Sequence, residues 1–251
     1  VTDPPSARPP APTARFDAPG QQAATPWQAA TVVSIHDETP SARTFRLRLE
    51  RPVDHLPGQH YVVRLTAEDG YTASRSYSVA SAPDGSGEVE LTVELLPDGE
   101  VSPFLHDVVE PGDVLEVRGP LGRWFTWDVA SPALLVGGGS GVVPLMAMLR
   151  AARAAGRPDL ARLVVSVRTP ADLYYAPEMI GPEVTVVHTR VAPGGDPRPA
   201  GRLTAADIGP VAPGTTVYLC GSGGFVEHAS TLLLAAGVDA ADIRVERFGP
   251  S

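Results

Sequence analysis

Two glycine clusters carry the first hint of chemistry. Val136-Gly137-Gly138-Gly139-Ser140-Gly141 and Cys220-Gly221-Ser222-Gly223-Gly224 each follow a short apolar run and precede a helical pattern. Glycine lets the backbone approach a phosphate, and a helix N-terminus offers unpaired N–H groups and the positive end of the helix dipole. One such loop is equally a tight turn that binds nothing. Two of them at strand ends in one small domain point to a nucleotide site, although Val142 stands where the last glycine of G-x-G-x-x-G would be. Arg168, Arg190 and Arg202 lie just past strand ends or in the adjoining loops. Singly each is an ordinary solvated charge; together they can form a phosphate cluster, because guanidinium meets phosphate in a bidentate manner. Earlier in the chain, Arg75-Ser76-Tyr77-Ser78 places a cation and an aromatic ring on one strand face and two hydroxyls on the other. By itself that is a polar strand and marks no site.

Other chemistries find no support. G-x-S-x-G, the serine-hydrolase elbow, occurs at neither Ser140 nor Ser222. Cys220 is the single cysteine, so neither an internal disulfide nor a cysteine-ligated iron–sulfur cluster is expected within these residues. The six histidines show no metal-ligand spacing, so no metal is expected. A net charge of −9 argues against sequence-independent nucleic-acid binding.

The elements that must position these residues fall into two textures. From 27 to 128 the pattern is all-β, with strands expected at 44–49, 61–65, 76–79 and 88–93 and a turn at Asp84-Gly85. Short strands at this spacing suggest a sandwich or small closed barrel. One helix is expected near 102–109, N-capped by Ser102 and ended by Pro111-Gly112. From 129 to 251 apolar strands at 133–136, 163–167, 184–188, 217–220 and 244–248 alternate with helices, the clearest at 226–236. That alternation predicts a parallel sheet covered on both faces, with ligands at the carboxyl ends of its strands. Residues 1–26 are rich in proline and alanine and read as a flexible tail. The uncharged stretch 129–149 is broken by Pro132, Pro144 and glycines, so it reads as strand, loop and helix and not as a membrane span. With no apolar leader at the N-terminus, the expected location is cytoplasmic.

Charge divides the chain at the same point. Residues 27–128 hold 17 acidic residues and 8 arginines, whereas 129–251 hold 10 of each. All 20 basic residues are arginine. Arg46 and Arg48 fall on the outward face of one strand with Arg43 and Arg51 flanking it, a candidate docking patch or simply a solvated edge.

The ordered motifs resemble the ferredoxin–NADP⁺ reductase superfamily. Arg75-Ser76-Tyr77-Ser78-Val79-Ala80-Ser81 resembles its R-x-Y-S-x-x-S signature. Pro57-Gly58-Gln59, leading into His60, is similar to its P-G-Q entry to a flavin-contacting strand. Gly99-Glu100-Val101-Ser102 is similar to its G-x-x-S helix start, and Gly119-Pro120-Leu121-Gly122 to its G-P-x-G turn. The run from Gly137 to Pro144 resembles its nicotinamide-nucleotide loop, Cys220-Gly221 its C-G motif, and Glu246-Arg247-Phe248 its closing E-x-aromatic. The chain departs from the pattern at Ser222, where proline often follows C-G, at Glu94, where a basic residue is common, and at Gly249-Pro250-Ser251, which run past the aromatic.

The resemblance implies a Greek-key β-barrel that binds flavin at 27–128 and a nucleotide-binding α/β domain at 129–251. It implies FAD, with FMN the less frequent choice in the family; the three arginines, taken as contacts to a 2′-phosphate, favour NADPH over NADH. Arg75 and Ser102 with its helix start would hold the flavin phosphates; His60, Ser76, Val79, Ser81, Gly99 and Val101 would line the same cofactor. Tyr77 would pack on the isoalloxazine and Ser78 would lie near its N5. Gly139, Ser140, Gly141 and Val142 would cradle the dinucleotide, with Arg168, Arg190 and Arg202 on its 2′-phosphate. Cys220 and Glu246 would border the nicotinamide, and Phe248 would cover the other flavin face. The implied activity is a reductase passing electrons from NADPH through FAD to a separate carrier: a ferredoxin, a flavodoxin or an oxygenase component. A flavin-binding sensor without turnover is the alternative.

Overall fold

The structure, a computed structural model, describes residues 25–249. Apart from its last two residues, the proline-rich segment 1–26 lies outside them. Six antiparallel strands come first: β1 (Gln28–Thr39), β2 (Ala42–Leu49), β3 (His60–Thr66), β4 (Thr72–Ser78), β5 (Glu88–Glu94) and β6 (Val114–Leu121). Their order is β4-β3-β6-β1-β2-β5, and a Val79–Leu91 bridge joins the two ends, closing the sheet into a barrel. The insertion of β6 between β3 and β1 is the Greek-key connection. Inward side chains such as Val32, Phe45, Leu47, Tyr61, Val63, Val89 and Leu91 fill the interior. Apolar and polar residues alternate along β2, which buries one face, as its sequence pattern requires.

Two barrel strands, β1 and β6, carry no clear sequence signal. The buried positions of β1 include Gln28 and Ala30, one polar and one small, so the apolar alternation is weak. β6 is interrupted by Arg118-Gly119-Pro120. Gly119 is required there because a Cβ would fall 2.5 Å from the Tyr61 ring.

Helix α1 (Val101–Asp107) corrects the expected cap. Glu100 occupies the N-cap position without a side-chain bond, and Ser102 lies inside the first turn. The Ser102 hydroxyl instead accepts the Leu96 N–H at 3.0 Å. Gly99 permits this fold-back: a Cβ there would crowd the Leu96 carbonyl and the Ser102 hydroxyl at 3.1 and 3.2 Å.

The second half is a parallel sheet of β7 (Ala133–Gly138), β8 (Ala161–Val167), β9 (Val184–His188), β10 (Thr216–Gly221) and β11 (Ile243–Arg247), ordered β11-β10-β7-β8-β9. Helix α2 (Val142–Ala154) covers one face; α3 (Ala205–Ile208) and α4 (Gly223–Ala235) cover the other. β7 and β8 are buried almost throughout, the expected pattern for parallel strands sandwiched between helices. The apolar cluster under α2 takes in Ala42, Ala80, Phe125 and Trp127 of the barrel, so the two halves share one core at their contact.

Candidate active site

β7 and β10 are neighbours at the point where the strand order reverses, and both end in a glycine loop. Ligands of parallel sheets bind at such switch points, outside the carboxyl ends of the strands. The two loops press together. A Cβ on Gly141 would lie 2.3 Å from the Cys220 carbonyl oxygen and 2.6 Å from the Gly221 nitrogen, so no other residue fits. Gly138 and Gly221 both abut the Phe225 ring in the first turn of α4, where a Cβ would come within 2.6 and 2.8 Å. Gly139 is exposed at φ +57°, with open space where a side chain would project. Its backbone is therefore free to meet a ligand.

The next strand completes this edge. Cys220 is the lateral partner of Glu246 on β11, and the Phe248 N–H donates to the Gly221 carbonyl at 2.9 Å. Phe248 is half-buried against the shared core. Burial, reinforced by the Glu246 carboxylate, pushes the Cys220 thiol well up, so it stays protonated. Burial also lifts Glu246 to about 7. Its Oε2 is buried without a hydrogen-bond partner among the described residues.

Arg168 directly follows β8, and Arg190 stands two residues beyond β9. The Arg168 carbonyl accepts the N–H groups of Arg190 at 2.9 Å and Val191 at 3.2 Å, which ties the two loops together. Both guanidinium groups are exposed, as is that of Arg202. None of the three forms an ion pair among the described residues. Arg198, by contrast, is spent on structure: it pairs with Asp207 and donates to the Arg202 carbonyl at 2.9 Å.

On the barrel side, β4 lies against β3, pairing Tyr77 with Tyr61 and Ser78 with His60. Tyr77 is half-buried and burial pushes its phenol up to about 12, so it is a neutral ring at any working pH. Burial lowers the His60 pKa. Ser78 is 6% exposed, whereas Arg75 and Ser76 face solvent. The Arg75 guanidinium donates only to the neighbouring Ser74 carbonyl, at 2.7 Å, and makes no ion pair among the described residues. Tyr71 donates to Glu100 at the start of α1, which is how the Arg75 strand and that helix start meet.

Three expected cofactor contacts are redirected. The side chains of Val79 and Val101 are fully buried in the barrel core, so what they can offer a ligand is backbone. The Ser81 hydroxyl accepts the Glu90 N–H at 3.1 Å and its carbonyl takes His55 Nε2 at 3.0 Å. Arg46 and Arg48 are not a free basic patch. Both bind Glu88 across the sheet, while Arg43 pairs with Asp37.

Residues 29–126 match the family model of an oxidoreductase FAD-binding domain, and residues 135–231 that of an oxidoreductase NAD-binding domain. Over 231 residues the chain is 32% identical to the ferredoxin–NAD(P)⁺ reductase component of a naphthalene 1,2-dioxygenase system from Pseudomonas putida, covering 88% of this chain and 68% of that one. This chain belongs to the ferredoxin–NADP⁺ reductase superfamily. It is 30% identical to the corresponding component of naphthalene 1,2-dioxygenase/salicylate 5-hydroxylase systems from Ralstonia, over 88% of this chain and 69% of that one. Among solved structures, the flavohem-like FAD/NAD-binding domain of a nitric oxide dioxygenase from Vibrio cholerae superposes with a TM-score of 0.79 and 26% identity, covering 89% of this chain and 99% of that one.

This member of the superfamily is an NAD(P)H-dependent flavin oxidoreductase that binds FAD and a nicotinamide dinucleotide. Its residues fit both groups. The open backbone at Gly139 suits a pyrophosphate, and the unpartnered Glu246 Oε2 lies at the strand edge that a nicotinamide would reach. Arg75 has free donors beside the barrel strand for a flavin phosphate. Sequence reasoning had no signal for Tyr175, Arg150 or Arg244, whose partners are far away in the chain. Arg244 donates to the Thr126 carbonyl and lies over the rings of Trp124 and Tyr218, pinning the barrel exit to the sheet. Among the described residues no helix is long and apolar enough to cross a membrane. No cluster of metal-ligating side chains occurs among them either.

Proposed function

We propose that the chain is the reductase component of a multicomponent redox system, drawing on NADPH and delivering electrons to a separate ferredoxin, flavodoxin or oxygenase component in the cytoplasm. The observation that supports it best is the pairing of Cys220 and Glu246 beside the joined glycine loops, at the edge where the sheet meets the barrel. Bound FAD supplies the conversion between two-electron and one-electron transfer, which no amino-acid side chain here provides. The chain's own groups bind and orient. Arg75 holds a flavin phosphate by charge-assisted hydrogen bonds, with Gly99 and the α1 start shaping the adjacent backbone. Tyr77 gives the flavin an apolar ring surface, and Ser78 offers a hydroxyl at the strand end. Gly139, Ser140 and Gly141 receive the dinucleotide pyrophosphate at the start of α2. Arg168 and Arg190, held together through their backbones, take the 2′-phosphate with Arg202, which selects NADPH. The half-buried Phe248 ring would shield one face of a bound flavin from water. Glu246 and Cys220 present a water-poor edge at the nicotinamide, with the thiol protonated and the carboxyl titrating near 7.

The purified protein should be yellow, with the absorption maxima of oxidised flavin, and should be bleached by NADPH faster than by NADH. Addition of a one-electron acceptor protein should restore the colour catalytically. Flavin that binds but is not bleached by either nucleotide would point to a sensor and overturn the reductase reading.

A further inference from the structure

The domain contact contains a closed circuit of hydrogen bonds that neither cofactor site requires. Tyr175 stands on the loop after β8, between the 3-10 turns Pro170–Asp172 and Ala176–Glu178. It is 2% exposed and adopts the left-handed conformation, φ +54°, which is unusual for a bulky non-glycine residue and persists only where the surroundings demand it. Its side chain reaches into the barrel. The phenol lies 2.5 Å from the Thr92 hydroxyl on β5, which lies 2.7 Å from the Thr44 hydroxyl on β2. Thr44 donates to Glu38 Oε1 on β1 at 2.7 Å, and Glu38 Oε2 accepts the Tyr175 N–H at 3.0 Å, closing the ring. The loop is thus tied by directional bonds to three barrel strands.

A second clamp packs against the Tyr175 ring. The Arg150 guanidinium, on α2, sits 5.0 Å from the Tyr175 ring centroid. It donates to the Ala80 carbonyl at 3.0 Å, to Glu90 at 2.7 Å, and through Nε to Glu178 at 3.0 Å. Ala80 follows Ser78 by two residues, and α2 begins where the first glycine loop ends. Arg150 therefore ties the flavin strand directly to the helix that carries the nucleotide loop.

We infer that Tyr175 and Arg150 are positioning residues that fix the register between the two cofactor sites, and so set how fast the nicotinamide and the flavin exchange electrons, without touching either cofactor. The inference rests on the two-cofactor reading of the cleft. A hydrogen-bond ring of this kind is directional, so it resists sliding in a way that an apolar contact does not. Removing one hydroxyl opens the ring, while the tyrosine ring and its packing remain.

The test uses the full chain with spin labels on cysteines introduced at exposed Ser86 and Ala236, one in each half; buried Cys220 stays unlabelled. Without added cofactor, the parent should give one narrow inter-label distance, and Tyr175→Phe and Arg150→Met should each broaden it. Loaded with FAD, both variants should bind NADP⁺ within twofold of the parent. They should nevertheless lose most of the long-wavelength absorbance of a nicotinamide stacked on flavin, and single-turnover bleaching at saturating NADPH should slow at least tenfold. Thr92→Val should reproduce Tyr175→Phe, and the double variant should be no slower than either single one. A folded, flavin-loaded Tyr175→Phe or Thr92→Val that keeps the narrow distance and bleaches within twofold of the parent would overturn the inference. Failure of the parent itself to hold flavin would instead sink the cofactor reading, a result visible before any variant is made.

Discussion

Cys220 and Glu246 are lateral partners on adjacent parallel strands, and both are held neutral at mildly acidic pH by burial. An acid with a raised pKa is ionised more readily in the unfolded chain. Its contribution to stability is therefore complete below its ordinary value of 4.5 and is lost as pH rises through about 7. Glu246→Gln cannot ionise. Melting curves of the cofactor-free chain should show the variant gaining on the parent across that window and holding a constant advantage above it. Parallel curves would mean that Glu246 ionises freely in the folded protein.

Arg75→Ala should weaken flavin retention without unfolding the barrel, because the side chain is exposed and its hydrogen bond among the described residues is to the adjacent Ser74 carbonyl. A charge-assisted contact to phosphate is worth roughly 1.5–3 kcal/mol, or about one to two decades of affinity. Fluorescence titration of the flavin-free protein measures the loss. Unchanged affinity removes Arg75 from the site.

Replacing Arg168 and Arg190 together with alanine should raise the NADPH KM by about tenfold or more and leave the NADH KM nearly unchanged, since only the former carries the 2′-phosphate. Steady-state kinetics with both nucleotides decides. Equal losses would assign the pair to the pyrophosphate.

Gly141→Ala should destabilise the joined glycine loops, because the added Cβ would sit 2.3 Å from the Cys220 carbonyl oxygen. Overpacking of this kind costs about 1–3 kcal/mol, and any relaxation moves the loop away from its binding position. Calorimetry should show weakened nucleotide binding with flavin content retained. Gly139→Ala has room for its methyl and should cost only the strain of φ +57°.

Phe248→Ser should tighten NADP⁺ and NADH, relax the preference for NADPH and slow product release, if the ring covers the flavin where the nicotinamide must sit. The Phe248 N–H bond to Gly221 is backbone and survives the change. A variant that only melts earlier, with unchanged affinities, would show that the ring simply packs against the shared core.

The two textures, the parallel character of the second sheet, both glycine loops and the R-S-Y-S strand follow from local patterns: period-two alternation, apolar β-branched runs and glycine at strand ends. Those signals lie within a few residues of the positions they describe, so the sequence alone determined them. The Ser102 cap failed because the hydroxyl had a competing partner, the Leu96 N–H, that only the Gly99 turn brings close. Arg46 and Arg48 looked free until β2 paired with β5 and placed Glu88 beside both. β1 and β6 contribute a few apolar side chains, among them Val32, Leu115 and Val117, and are placed by the strands paired on either side. Tyr175 is the clearest case. Nothing near it in sequence distinguishes it from Tyr174, yet its phenol meets Thr92 and its N–H meets Glu38 across 83 and 137 residues of chain. Contacts at such separations form only once both sheets exist, so the tertiary structure alone decided how the two halves are held together.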